Sequence, residues 1–239
     1  MPPVTPVHPS STLDPVDTDG AARVPAPRAP APRPRTAAPD DAGLNPIAQA
    51  RVRESATRNT AAAELFDAGR YEEAVALFAQ ALASCRSTLG GEHPDTLTVA
   101  GNLGVAYVQA GQRRKGTKLI TSNVAARARV LGDSHPDTLT ARNALAAAHR
   151  LNGDADAAVG LAKQVVLQRS RTLGPTHVDT LSSRMGLALA LAAAGDVMSA
   201  HRLLASTMND AESTLGPDHE HTVALVECGE AAGLLRREI

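Results

Sequence analysis

The chain has 239 residues, a formal net charge of −1, an aromatic content of 2% and no tryptophan. A balanced charge with no aromatics interleaved among its bases argues against a nucleic-acid surface. No uncharged apolar run reaches the ~18 residues of a membrane span.

Residues 1–46 hold twelve of the sixteen prolines and no aromatic residue. Such a segment has little to bury, which predicts a disordered, partly extended Pro/Ala/Arg-rich tail. It lacks the apolar core of a signal peptide, so a cytoplasmic location is expected. Beyond it, residues 47–239 read as helical throughout. A helix from about Pro46 to Ala68, carrying Arg51, Arg53 and Glu54, is expected to cap the N-terminal side. After Gly69, the residues Ala74, Leu77, Phe78, Ala81, Leu82 and Cys85 fall at three- and four-residue steps, one apolar stripe on a helix of about five turns.

A phrase then begins at Leu89 (Leu-Gly-Gly-Glu-His-Pro-Asp-Thr-Leu) and returns at Leu131, Leu173 and Leu215, always 42 residues on. Gly69, Gly111, Gly153 and Gly195 keep the same period midway between the copies. Each unit is therefore a helix, a glycine turn, a longer helix and the phrase as a loop, a stack of one supersecondary unit. The predicted helix pairs span 47–88, 95–130, 137–172 and 179–214, with a terminal capping helix over 221–237. Within the loop, Gly90 and Gly132 suit a left-handed helix end, and the prolines hold the preceding histidine extended. Asp95, Asp137 and Asp179 stand where N-caps are expected, and Thr222 replaces them in the last copy, where His221 takes the aspartate's place.

The recurring His93, His135, His177 and His219 resemble a metal set, but equivalent positions in stacked helices lie at least roughly 8–10 Å apart and cannot converge on one ion. Gly111 to Lys118 comes near a phosphate-binding loop, yet it lacks the preceding strand and runs straight into a helix. Cys85 and Cys228 lie far apart in the sequence and are expected to be reduced packing residues; no nucleophile elbow or zinc-protease motif is present. Neither catalytic residues nor a cofactor or metal is expected. A different singularity is the stretch from Thr96 to Gly132, where only Asp95 precedes and no acid accompanies Arg113, Arg114, Lys115, Lys118, Arg127 and Arg129. Arg113, Arg114 and Lys115 crowd a helix N-terminus, where the macrodipole disfavours positive charge. They form either a solvated face or, with Lys118, a docking patch for an acidic partner.

The pattern resembles the tetratricopeptide repeat in its 42-residue, kinesin light chain-like form. Ala74, Gly116, Ala158 and Ala200 match the family's small residue early in the second helix, Leu103-Gly104 with Tyr107 its first-helix signature, and Phe78, Ile120, Ala162 and Leu204 its large apolar site. The resemblance implies an all-α tetratricopeptide-type α-solenoid, a right-handed superhelix of antiparallel helix pairs, and alanine- and arginine-rich usage suggests a bacterial source. It further implies a non-catalytic scaffold or adaptor that grips a protein or peptide on the concave face lined by the first helices. Counted from the turn glycines, Asn59, Asn102, Val105, Gln109, Asn143, Ala147, Arg150, Met185 and Leu189 face inward. Kinesin light chains tend to carry two adjacent asparagines there; this chain has one in each of two repeats, Asn102 and Asn143. Asn102 is equally suited to bracing the neighbouring helix. The alternative role is a sensor or autoinhibitory array acting in trans with a signalling ATPase.

Overall fold

The computed structural model describes residues 45–235. The expected proline-rich tail lies outside the described residues except for Asn45 and Pro46, as do Arg236, Arg237 and Glu238 at the other end. Nine helices follow in order within the described residues: α1 (Pro46–Asp67), α2 (Tyr71–Leu89), α3 (Pro94–Gln109), α4 (Arg113–Leu131), α5 (Pro136–Leu151), α6 (Ala155–Thr172), α7 (Val178–Ala193), α8 (Val197–Leu215) and α9 (Glu220–Ala231). No strand occurs among them.

The recurring loop is where each new helix pair begins, and its capping differs from the sequence expectation. Proline occupies the first helical position of α3 and α5, a site where its missing N–H costs nothing. That moves Asp95 and Asp137 to the second position, one residue too late to cap. The histidine before them is the N-cap, held extended at φ −60°, ψ 139° for His93. Its Nδ1 accepts the aspartate's backbone N–H at 3.2 Å in α3; His135 and His177 repeat the bond at 3.1 Å, and His219 Nδ1 accepts from the His221 N–H at 3.1 Å. Thr222 is likewise not a cap: it is buried one turn in, as are Thr96, Thr138 and Thr180. On the other side of the loop, Gly90 has φ 89° and ψ 165°. Its positive φ meets the expectation, but its ψ is extended, a region open essentially to glycine alone rather than the left-handed helical one.

Each helix packs on its neighbours in sequence. The odd-numbered helices also touch one another in order, α1 on α3, α3 on α5, α5 on α7 and α7 on α9, while the even-numbered helices form no comparable row. The odd helices are thus the inner, more tightly spaced rank of a curved stack. Between the ranks the core is mostly alanine and leucine, with a few larger residues such as Phe66, Phe78 and Tyr107. α3 and α4 approach closely at Gly104 and Gly116. The terminal helix is shorter than expected, ending at Ala231 rather than near Arg237. Gly233 at φ 68° turns the chain, and Leu234 folds back into the core. None of the described helices is long and apolar enough to cross a membrane.

Candidate interaction site

The inner rank carries the side chains that the turn-glycine count places inward, and the structure sorts them into two sets. In the first, Asn59 of α1 is buried and its Oδ1 accepts a hydrogen bond of 3.1 Å from Asn102 Nδ2 on α3. This is the bracing contact, and it uses one of the four hydrogen-bonding capacities of the Asn102 amide. Asn143 of α5 is half-buried, and the chain opposite it is Gly186 of α7. A Cβ at Gly186 would lie 3.3 Å from Asn143 Oδ1, so the glycine leaves the amide its room. Asn143 and Gln109 have no hydrogen-bond partner among the described residues. Val105 and Ala147 lie half-buried beside them.

The second set is not open to a partner. Met185 is 4% exposed and Leu189 8%, both packed with Leu181, Ala188, Leu225 and Leu234. The cause is α9, which lies against α7 and converts what would be groove surface into core. Between the two sets stands Arg150, near the end of α5. Burial lowers its pKa, and the Cys228 thiol of α9 is its electrostatic neighbour. Burial in turn raises the Cys228 thiol, with Arg150 opposing it. The inner face thus runs from an amide-bearing middle, on α3 and α5, to Arg150, which has no carboxylate partner among the described residues.

The six bases of the acid-free stretch also divide. Arg127 is buried: its guanidinium donates to Asn123 Oδ1 at 3.1 Å and Thr98 Oγ1 at 3.2 Å and lies 3.6 Å from Asp137. Arg129 pairs with Glu92. Arg113, Arg114, Lys115 and Lys118 remain exposed at the start of α4, with no carboxylate partner among the described residues. Lys115 Nζ sits 4.0 Å from the ring centroid of Tyr107. The periodic histidines are spoken for as caps, and no group of three possible metal ligands occurs among the described residues.

Two networks were not visible in the sequence. Arg169 donates to Asp179 O, Ser183 Oγ and Thr140 Oγ1 at 2.7–2.8 Å. Arg184 reaches Asp210 Oδ2 at 2.6 Å and Ser206 Oγ at 2.7 Å. The 42-residue offset between Arg127 and Arg169 was the available sign that both are internal rather than surface charges.

The tetratricopeptide repeat family matches residues 53–115 in one form and 96–137, 138–179 and 180–221 in another. Among solved structures, the chain is similar to the nearly identical TPR-like repeats assigned to a Podosopora anserina kinesin light chain, at 32% identity and a TM-score of 0.62, covering 77% of this chain and 88% of that one. A substituted form of the same protein aligns at 30% identity and TM-score 0.62, covering 80% and 89%. BtubC (BKLC) from P. vanneervenii aligns at 17% identity and TM-score 0.58 over 78% and 82%, a likeness of fold alone. No curated protein matches the chain.

Proposed function

Because the chain belongs to the tetratricopeptide repeat family, whose repeats generally mediate protein–protein interaction, we propose that it is a non-catalytic scaffold seating an extended segment of a protein partner along its inner face. The observation that carries the reading is the set of amides on α3 and α5. Asn143 and Gln109 are half-buried yet without a hydrogen-bond partner among the described residues, and Asn102 keeps spare capacity after bracing Asn59. An Asn or Gln amide offers a donor and an acceptor together, which matches one peptide unit of an extended backbone. Half-buried polar groups gain most from a partner that replaces the water they hold poorly. Farther along, Arg150 has no carboxylate partner among the described residues, so an acidic side chain on the partner complements it.

The test is selection of displayed random peptides on the immobilised protein, followed by affinity measurement of a selected peptide. Two lost hydrogen bonds at ~1 kcal/mol each predict that Asn102→Ala with Asn143→Ala weakens binding about tenfold or more. Binding within twofold of the parent protein, with helical content unchanged, would overturn the inner-face reading.

A further inference from the structure

The turn glycines bring the N-termini of α2, α4, α6 and α8 to one rim of the stack. Neighbouring turns on this rim are in direct contact: Asn152 Nδ2, from the turn before α6, donates to Thr117 Oγ1 in the first turns of α4 at 2.9 Å. The charges along the rim change sign from α2 to α4 and again from α4 to α6. The first turn of α2 carries Glu72 and Glu73, and Arg70 holds Glu73 through hydrogen bonds of 2.7 and 2.6 Å, keeping its carboxyl below the usual range. At α4 stand Arg113, Arg114 and Lys115 with no acid. At α6 come Asp154, whose Oδ2 lies 3.4 Å from His149 Nδ1, and Asp156, which is exposed and unpaired among the described residues. Asp196 at α8 is occupied as an N-cap, its carboxyl held below the usual range by the Ser199 hydroxyl and amide.

We propose that this rim is a self-association surface, on which a second copy of the chain docks about a two-fold axis passing between the start of α4 and the start of α6. Adjacent rows of opposite charge are self-complementary under such an axis. The three bases of one copy meet Asp154 and Asp156 of the partner subunit, and the reverse contact forms at the same time. Three positive charges at a helix N-terminus oppose the macrodipole, and carboxylates from a second copy relieve that opposition. The acids of α6 rather than α2 are the complement, because Glu73 is committed to Arg70 while Asp156 is not. Exposed ion pairs are weak and screened, so the dimer is a low-affinity one that loosens by about tenfold between ~0.05 M and ~0.5 M salt.

Sedimentation of the full chain tests this. The unsubstituted protein should show a concentration-dependent monomer–dimer equilibrium at low salt. A first variant, Arg113→Glu with Arg114→Glu and Lys115→Glu, carries acids at both helix starts and should be monomeric. A second, Asp154→Lys with Asp156→Lys, carries bases at both and should be monomeric too. Mixed, the two should form a heterodimer, an outcome that misfolding cannot mimic; circular dichroism checks each alone. The proposal is overturned if the unsubstituted chain is monomeric at low salt, if either reversal leaves the dimer intact, or if the mixed variants stay apart. A monomeric chain that instead binds a poly-glutamate peptide through Arg113, Arg114 and Lys115 would assign the bases to a different acidic partner.

Discussion

At His135, one side-chain nitrogen decides how a helix begins. With Pro136 in the first helical position, the backbone before it is extended and points the imidazole Nδ1 at the amide of Asp137. Removing that acceptor leaves an unsatisfied N–H at the helix start, so His135→Ala should cost ~0.5–2 kcal/mol. His135→Asn, which keeps an acceptor on a short side chain, should lose only a fraction of this. Urea denaturation of the two variants decides the matter: equal midpoints would show that the imidazole does not act as the cap. The stop-and-start character of the loop was legible from glycine, proline and aspartate alone. The identity of the cap was not, because histidine and aspartate are both polar, and only the position of proline within the first turn separates them.

The contact between α3 and α4 shows the same division for a whole element. That a small residue belongs at the Ala74 position of every unit follows from the 42-residue period, and Gly116 fills it in the second. What the period does not contain is how near the helices come. A Cβ at Gly116 would stand 2.6 Å from both Gly104 O and Val108 Cγ2, and one at Gly104 would stand 2.6 Å from Ile120 Cγ1. The Gly104 oxygen is backbone and cannot swing away, so Gly116→Ala should destabilise the protein by about 1–3 kcal/mol despite alanine's better helix propensity. Gly160, exposed in α6 with nothing within 4 Å of a Cβ, is the control. There the propensity acts unopposed, and Gly160→Ala should stabilise by ~0.5–1 kcal/mol. Thermal melts of the pair should shift in opposite directions; a shift of Gly116→Ala upward would contradict the close approach.

Over the whole stack, packing against the terminal helix decides which inward side chains stay accessible. The order of the nine helices among the described residues was legible, since repetition fixes the unit and stacking is the way each unit buries its apolar stripe. The make-up of the inner face was legible only in part. Asn102, Gln109, Asn143 and Arg150 lie where counting from the turn glycines places them, half-buried on the inner rank. Met185 and Leu189 occupy equivalent positions but face α9, so their apolar character serves the core. Arg127 and Arg169, which read as surface charge in isolation, are internal because threonine and serine side chains of the neighbouring helices accept from them. Such distinctions depend on contacts across units, which a period within one unit cannot encode.

The inner face as the seat of a partner segment is tested most directly by photo-cross-linking a selected peptide from a benzophenone amino acid placed at Gln109 on α3 or, in a separate protein, at Gln164 on the exposed surface of α6. Cross-linking from position 109, lost on competition with unlabelled peptide and absent from position 164, is the predicted result. Equal yield from the two positions, or yield from 164 alone, would contradict it.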